Sequence, residues 1–263
     1  MVIEQIYTGN AYRNFHYLIA CADTGEALAV DPLEADRVLA HAAGKGWRIT
    51  QVLNTHEHAD HTGGNARLIA ATGARLLAHA GAKARIPGID RGLEAGDVIV
   101  VGKTVELEVL DTPGHTMSHV CLYCRGERPA LVSGDTLFNA GAGNCHHGGH
   151  PESLYQTFVD QLARLPDDTR VLPGHDYIAN NLRFTLDREP DNVRAETLLA
   201  EVQQQDPHAA RVTTLGEEKE INTFFRLGSR SLIARLREAF PDLPPDPSPK
   251  EVFLHLRALR NKW

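Results

Sequence analysis

The segment Thr55 to His61, with the sequence THEHADH, constrains the fold of this chain more than any other. It places three imidazoles and one carboxylate in the spacing His-x-His-x-Asp-His. Imidazole and carboxylate groups are the usual protein ligands of divalent zinc, manganese and iron. The preceding residues, Ile49 to Asn54, are rich in apolar and β-branched side chains and predict a buried strand. We therefore expect a ligand-bearing loop at a strand end, dense enough to serve two adjacent metal ions in metal-assisted hydrolysis.

Three further ligand-type residues stand in Gly-containing turns directly after strand-like runs: His115 in DTPGHT, Asp135 in SGDT and His175 in PGHD. Each of them alone could be an ordinary turn or a hydrogen-bonded core residue. Together they predict one site, because loops that follow the strands of a helix-covered sheet converge at one edge. The residues expected to meet there are His56, His58, Asp60, His61, His115, Asp135 and His175.

Composition limits the classes of partner and compartment. The formal charge of −7 gives no support for a nucleic-acid partner. The chain contains no apolar run of about 18 residues, so we expect no membrane span. The start, Met1 to Ile6, lacks the regions of a signal peptide, and a cytoplasmic location is the default expectation. Cys121 and Cys124 lie in a strand-like run and are interpreted as thiols packed in or beside a sheet.

The pattern of elements divides the chain in two. Up to residue 177, strand-like and helix-like segments alternate, which predicts a mixed α/β domain over residues 1–177. Its last predicted helix runs from Pro151 to Leu165. From residue 178 to 263, four helix-like segments follow one another between Pro-containing breaks, and no strand-like run is obvious. We expect a C-terminal helical domain there that contributes to the substrate cleft.

The chain resembles the metallo-β-lactamase superfamily of hydrolases and, within it, the glyoxalase II or hydroxyacylglutathione hydrolase family. The matching motifs are THEHADH (55–61), TPGHT (112–116), GDTLF (134–138) and GHDY (174–177). The resemblance continues through NLRF (181–184) and EPDN (189–192), and extends to NTFFR (222–226). The metal motifs are specific for the metallo-β-lactamase superfamily. The motifs in the helical part favour the glyoxalase II family within it.

This resemblance implies the fold class α/β, an αββα sandwich of two mixed sheets between helix layers with a C-terminal helical domain. It implies two divalent metal ions, zinc first, with iron or manganese as alternatives. It assigns His56, His58 and His115 to one metal, and Asp60, His61 and His175 to the other, with Asp135 bridging them. It also implies a small-molecule thioester substrate, S-lactoylglutathione or a similar small-thiol thioester, and a role in methylglyoxal detoxification.

The implied reaction needs no serine or cysteine nucleophile. Two metal ions lower the pKa of a shared water enough to supply hydroxide near neutral pH, and a metal polarises the thioester carbonyl. A thiolate leaves easily because a thiol has a pKa of about 8.5. Asp60 is expected to orient the bridging hydroxide as well as to bind metal.

Four residues are candidates for substrate binding. Tyr177 and Arg226 match positions of the family's glutathione-binding set, with a buried tyrosine and a salt-bridged arginine as the alternatives. In the loop NCHHGGH (144–150) the chain departs from the family, since Asn144 stands where a lysine is usual and His146 where an aromatic residue is usual. A charge that would pair with a glutathione carboxylate is therefore missing from this loop.

The cluster His146, His147 and His150 admits a third metal as an alternative to a cleft-lining loop. Competing functions are a mononuclear-iron persulfide dioxygenase, another hydrolase of the same fold acting on lactones or phosphodiesters, and a non-catalytic metal-binding scaffold. The long helical tail and Glu189-Pro190 favour hydrolysis over dioxygenation. The full set of ligands argues against a scaffold. The sequence does not give the oligomeric state.

Overall fold

Two six-stranded sheets packed face to face form the centre of the protein, whose computed structural model describes residues 1–263. The first sheet comprises, in spatial order, Val2–Tyr7 (β1), Phe15–Ala20 (β2), Glu26–Val30 (β3), Arg48–Asn54 (β4), Arg75–His79 (β5) and Arg91–Leu93 (β6). Its first three strands are antiparallel, and β3 to β6 run parallel.

The second sheet is also mixed. Its strands are Val98–Val101 (β7), Val105–Asp111 (β8), Val120–Cys124 (β9), Ala130–Gly134 (β10), Arg170–Pro173 (β13) and Thr213–Thr214 (β14). In space they follow the order β14-β13-β10-β9-β8-β7, and β10 and β13 are the parallel pair. A small hairpin of Leu137–Phe138 (β11) and Gly141–Ala142 (β12) stands apart from both sheets.

Nine helices complete the chain. Those within the first 177 residues are Ala35–Gly44 (α1), Ala59–Thr62 (α2), Asn65–Thr72 (α3) and Pro151–Asp160 (α4). The remaining five are Ile178–Arg188 (α5), Val193–Val202 (α6), Leu215–Ile221 (α7), Arg230–Ala239 (α8) and Pro249–Arg260 (α9). Not one of them combines the length and the apolar character that crossing a membrane requires.

The alternation of buried side chains along single strands explains the layers. In β2, Tyr17 and Ile19 point into the core between the two sheets, whereas Leu18 points into a separate core beneath α1 and α3. In β9, Leu122 faces the inter-sheet core and Tyr123 faces a third core with α4, α8 and α9. Both sheets are therefore covered on both faces, which confirms the predicted αββα arrangement with a C-terminal helical region.

The same alternation settles the interpretation of the two strand cysteines. Cys121 and Cys124 are both buried and free, and they belong to the cores on opposite faces of β9. Residues three apart in a strand point to opposite faces, so these thiols cannot meet. The prediction of two packed thiols is confirmed.

The structure corrects one predicted helix end and adds elements that the sequence did not predict. The helix predicted to run from Pro151 to Leu165 ends at Asp160, and a 3₁₀ turn follows at Leu162–Arg164. The region after residue 178 does contain a strand, the two-residue β14, which pairs with β13 at the edge of the second sheet. The sequence interpretation also missed β1 and α7. These elements are short, or lack a clean apolar period.

Candidate metal centre

The seven sequence-predicted ligand residues converge at one edge of the sandwich. Strand β4 leads into the histidine loop and α2, while β8, β10 and β13 each end just before one further candidate. Because β10 and β13 are parallel neighbours, Asp135 and His175 emerge on the same side. Three overlapping groups have ligand atoms within 4.8 Å of one another: His56, His58 and His115; His56, His61 and Asp135; Asp60, His61 and His175. Their overlap makes one contiguous cluster.

Each of the five histidines is held by one ring nitrogen and turns the other toward the cluster. The held atoms and their oxygen partners are His56 Nδ1 with Thr55 Oγ1 (3.0 Å), His58 Nε2 with the His147 carbonyl (3.0 Å), His61 Nδ1 with Asp31 Oδ2 (3.0 Å), His115 Nδ1 with the Asn144 carbonyl (2.7 Å) and His175 Nδ1 with the Tyr12 carbonyl (2.7 Å). A ring N–H donated outward fixes the tautomer and leaves a lone pair on the inner nitrogen.

The inner nitrogens face one another across short gaps. His58 Nδ1 lies 3.0 Å from His56 Nε2 and 3.0 Å from His115 Nε2. On the other side of the cluster, His61 Nε2 lies 3.3 Å from His175 Nε2. With the protons on the outer nitrogens, these gaps bring lone pairs together, an arrangement that only a shared cation makes favourable. The donor set therefore fits divalent metal ions with imidazole and carboxylate ligands.

Asp135 lies between His115 on one side and His61 and His175 on the other. Its Oδ2 is 3.5 Å from His115 Nε2 and 3.2 Å from His175 Nε2, and its Oδ1 is 3.4 Å from His61 Nε2. That Oδ1 is buried and has no hydrogen-bond partner. Asp60 contacts one side only, with Oδ2 at 3.5 Å from both His61 Nε2 and His175 Nε2.

Burial keeps two of the candidate ligand imidazoles neutral, whereas at His61 the carboxylates of Asp135 and Asp31 outweigh burial and hold the pKa well above its usual range. Burial lowers the pKa of His115 to about 4 and holds the pKa of His56 well below its usual range. Both rings are therefore neutral at pH 7, which is the form that binds metal. Burial would raise the pKa of Asp135, but His175 and His61 outweigh it and hold that pKa well below its usual range. Asp135 is thus an anion inside the cluster.

Glycine is required where the ligand turns pack against each other. A Cβ on Gly143 would lie 1.8 Å from the Asp135 carbonyl oxygen. Gly134 has φ +47°, and a Cβ there would lie 2.7 Å from both His119 Nε2 and Thr55 Oγ1. A side chain at either position would therefore clash with Asp135 or with the residues that pack around it.

Sequence reasoning missed two residues that support the ligands. Asp31 accepts hydrogen bonds from the Thr55 amide (2.8 Å) and hydroxyl (2.7 Å) and from His61. His119 Nε2 accepts from the Asp135 amide at 3.2 Å, and its ring stacks on that of His56 at 5.2 Å. Asp31 directly follows β3, as the ligands follow their strands, and this placement was a usable signal. For His119 the sequence offered none.

A cleft of about 230 Å³ opens beside the cluster. It is lined by Phe138, Ala142, Asn144, His146, Tyr177, Asn181, Arg257, Arg260 and Asn261. Three of the four residues expected to bind substrate, Asn144, His146 and Tyr177, are thus brought together. The ring of Tyr177 stacks on that of His175, so the cleft continues directly into the metal cluster.

The last helix supplies the positive charge that the 144–150 loop lacks. Arg257 and Arg260 on α9 line the cleft, and neither forms an ion pair with a carboxylate. Arg257 is 4% exposed and donates to the Ala142 and Gly143 carbonyls at 2.8 and 3.0 Å. Burial lowers its pKa to about 10, so it stays protonated at neutral pH. Sequence reasoning missed both arginines.

Arg226, the fourth residue expected to bind substrate, does not line the cleft. Its Nε donates to both carboxylate oxygens of Glu189 at 3.0 and 3.1 Å. Glu189 is fully buried and would otherwise be a carboxylate without a cation. The guanidinium is therefore held in the salt bridge that the sequence left open as the alternative.

The histidines of the 144–150 loop do not converge on a common point, although the rings of His146 and His147 lie edge to face with centres 6.4 Å apart. The His147 carbonyl accepts from His58, His146 lines the cleft, and His150 precedes α4. None of the three belongs to a group of converging ligand atoms. The loop therefore contributes a backbone anchor and a cleft wall, and its side chains gather no third cluster.

Comparison with known proteins identifies the family. Residues 14–175 match the family model of the metallo-beta-lactamase superfamily, and residues 176–263 match that of the hydroxyacylglutathione hydrolase C-terminus. Hydroxyacylglutathione hydrolases from Polaromonas sp. and Nitrosococcus oceani are 68% and 65% identical, each over 100% of both chains. The crystal structure of ETHE1 from Myxococcus xanthus has a TM-score of 0.68 at 27% identity and covers 99% of this chain and 98% of that one. The chain belongs to the hydroxyacylglutathione hydrolase family, a family of thioester hydrolases within the metallo-beta-lactamase superfamily.

Proposed function

We propose that this chain hydrolyses S-acylglutathione thioesters such as S-lactoylglutathione, using two divalent metal ions. Zinc is the first choice, with iron or manganese as alternatives. One observation carries the proposal: five histidines each donate one ring N–H outward and turn the other nitrogen to a shared centre. The names of the full-length relatives supply the substrate class.

The ligands divide into two sets in this proposal. His56, His58 and His115 would hold one metal, and Asp60, His61 and His175 the other. Asp135 would bridge them, because its two oxygens approach histidines of both sets within 3.5 Å. Two complete sets favour two-metal hydrolysis over a mononuclear dioxygenase.

The chemistry follows from this arrangement. Bound divalent ions lower the pKa of water so that hydroxide forms near neutral pH, and they polarise the carbonyl under attack. Asp60 would accept a hydrogen bond from the attacking water and thereby orient it. Asn14 Nδ2 donates to Asp60 Oδ2 at 3.2 Å and fixes that carboxylate. The thiol's low pKa lets the thiolate depart without a dedicated acid.

Recognition of the thiol would fall to the cleft. Glutathione carries two carboxylates, and Arg257 and Arg260 are guanidinium groups without a carboxylate partner in a cleft lined by Tyr177. Burial raises the pKa of Tyr177, so its hydroxyl keeps its proton and can donate to substrate. Asn144 and His146 would contribute polar contacts from the opposite wall. A glutathione-derived thiol therefore fits this chain even though the usual loop lysine is absent.

The cleft also supports a division into a catalytic domain (1–177) and a helical domain (178–263). Phe138, Asn144 and Tyr177 come from the first part, whereas Arg257 and Arg260 come from the second. In this proposal the catalytic domain supplies the metals, and the helical domain supplies the charge that selects the thiol.

A panel of thioesters that differ only in the thiol tests the proposal, with metal quantified in the same protein. We expect S-lactoylglutathione to be cleaved with a higher kcat/KM than the lactoyl thioesters of coenzyme A and of N-acetylcysteamine. Oxygen uptake with glutathione persulfide is the parallel arm. Oxygen consumption without thioester hydrolysis would replace the proposal with the dioxygenase.

A further inference from the structure

The turn and the second strand of the β11–β12 hairpin are bonded to side chains from the C-terminal region. Five consecutive residues, 139–143, each have a backbone group bonded to one of four such side chains. The bonds are Asn181 Nδ2 to the Asn139 carbonyl (2.9 Å), the Ala140 amide to Glu218 Oε2 (2.9 Å), Asn222 Nδ2 to the Gly141 carbonyl (3.1 Å), and Arg257 Nη1 to the carbonyls of Ala142 (2.8 Å) and Gly143 (3.0 Å).

We call this set of hydrogen bonds to residues 139–143 the clamp, and Glu218 lies at its centre. This residue is fully buried on α7 and has no cationic partner. Its carboxylate accepts from the Ala140 amide at 2.9 and 3.1 Å, from the Thr213 hydroxyl at 2.6 Å and from Asn222 Nδ2 at 2.9 Å. A buried carboxylate without a cation is costly, and the hydrogen bonds from these three donors offset part of that cost.

The clamped turn has a backbone conformation that it would not keep alone. Ala140 has φ +59°, in the left-handed region that residues with a Cβ avoid. Such a residue is strained and persists only when its surroundings impose its conformation. The Glu218 carboxylate accepts a hydrogen bond from the amide of this same residue.

The hairpin in turn touches ligands of both proposed metals. It begins two residues after Asp135, and the ring of Phe138 packs edge-on against that of His175 at 5.9 Å. It ends two residues before Asn144, whose carbonyl accepts from His115 Nδ1 at 2.7 Å. A displacement of the hairpin would therefore shift Asp135, His115 and His175 together.

We propose that Glu218 is a positioning residue, which fixes the hairpin and through it the ligands Asp135, His115 and His175. This inference rests on the metal centre of the proposed function. It goes beyond that function because it makes metal affinity depend on a helical-domain residue that contacts neither metal ligands nor substrate.

The test compares Glu218→Met, Glu218→Gln and a matched control, Thr185→Val, at pH 8. Thr185 is equally buried and donates to the Ile221 carbonyl at 3.0 Å, so its replacement also removes a buried bond in the helical region, but not one to the hairpin. Hydrogen exchange of the amides of residues 139–143 reports the clamp. Competition with a chelator reports zinc affinity.

We expect Glu218→Met to speed exchange at the hairpin and to weaken zinc binding by about 10–100-fold, the usual effect of losing a group that orients ligands. In both hairpin exchange and zinc affinity, Glu218→Gln should stay close to wild type, because its carbonyl oxygen still accepts from Ala140. Thr185→Val should lower the thermal midpoint without changing zinc affinity. Unchanged zinc affinity in Glu218→Met, or equal weakening in Glu218→Gln, would overturn the proposal.

The test remains decisive if Glu218→Met does not fold, and also if the protein proves inactive on thioesters. If Glu218→Met does not fold, Asn222→Leu removes the bond to Gly141 and one bond to Glu218, and it is judged by the same criterion against Thr185→Val. Thioester hydrolysis is not among the readouts. Zinc binding that depends on Glu218 in a protein inactive on thioesters would therefore uphold this inference and refute only the proposed substrate.

Discussion

His175 and Tyr177 stack face to face, with ring centres 4.8 Å apart and ring planes 4° from parallel. The stack joins a proposed metal ligand to the wall of the proposed substrate cleft. We expect Tyr177→Phe to keep the stack and the bound metal, and to raise KM for S-lactoylglutathione about 3–10-fold by removing one hydrogen bond. Tyr177→Ala should reduce zinc content as well. Steady-state kinetics on metal-quantified protein checks both, and an unchanged KM in Tyr177→Phe would exclude the contact.

Arg260→Gln tests the charge in the cleft. Hydrogen bonds to charged groups contribute about 1.5–3 kcal/mol, so kcat/KM for S-lactoylglutathione should fall roughly 10–100-fold. A thioester of a neutral thiol should be cleaved at the wild-type rate. Arg237→Gln, on the exposed face of α8, is the control and should change neither value. An equal loss on both substrates in Arg260→Gln would argue for a structural role.

Arg226→Met tests the position of this arginine in the Glu189 salt bridge. Removing the cation leaves a fully buried carboxylate without its partner, so we expect the free energy of unfolding to fall by about 2–4 kcal/mol. KM for S-lactoylglutathione should not change. Denaturant unfolding and kinetics on the same preparation measure both. The double variant with Glu189→Gln should recover part of the stability, and a raised KM in Arg226→Met would return the residue to the substrate site.

Glu218 should give the stability of the fold a recognisable pH dependence. Burial raises its pKa from 4.5 to about 7, against the opposing effect of its hydrogen bonds. The folded state therefore binds this proton more tightly than the unfolded state. The resulting stabilisation is fully present below pH 4.5 and is lost as the pH rises through 7, by about 3 kcal/mol at most.

Glu218→Gln cannot titrate, so the difference in unfolding free energy between wild type and this variant isolates the effect. We expect wild type to lose stability relative to Glu218→Gln between pH 5 and pH 8. Urea unfolding of both proteins with zinc in excess, at several pH values, measures this difference. A difference that is constant across this range would mean that the carboxyl does not titrate there.

The ligand cluster could be predicted from the sequence because each candidate sits in a short local pattern. A strand-like run followed by a Gly-containing turn puts a side chain at a sheet edge, whatever the rest of the chain does. The fold confirmed this for His115, Asp135 and His175, which the structure brings together with the histidine loop. The division of the ligands between two metals remains a prediction.

The cleft could not be predicted in the same way. Arg257 and Arg260 lie more than a hundred residues beyond Asn144, and only the packing of α9 against α4 and the second sheet brings them to the same cavity. His119 likewise acts through stacking and through a backbone amide sixteen residues away, which no local pattern reveals. The loop lacks the usual lysine, and the positive charge of the cleft comes instead from α9.

The missed elements have local causes. Strand β1 carries polar Glu4 and Gln5 in its centre and is only half-buried over most of its length, so its apolar period is broken. Helix α7 has seven residues, includes Gly216 and depends on a capping box between Thr214 and Glu217. Strand β14 has two residues and forms only because β13 offers a free edge.

Zinc titration of metal-free protein tests the central claim most directly. Hydrolysis of S-lactoylglutathione and bound zinc are measured together in wild type, in Asp135→Ala and in the exposed control Asp36→Asn. We expect activity to rise with bound zinc and to level off at about two per chain. Asp135→Ala should lose bound metal and hydrolysis together, while Asp36→Asn should match wild type. Full hydrolysis by metal-free protein, or an Asp135→Ala variant that retains both metals and full activity, would contradict the account.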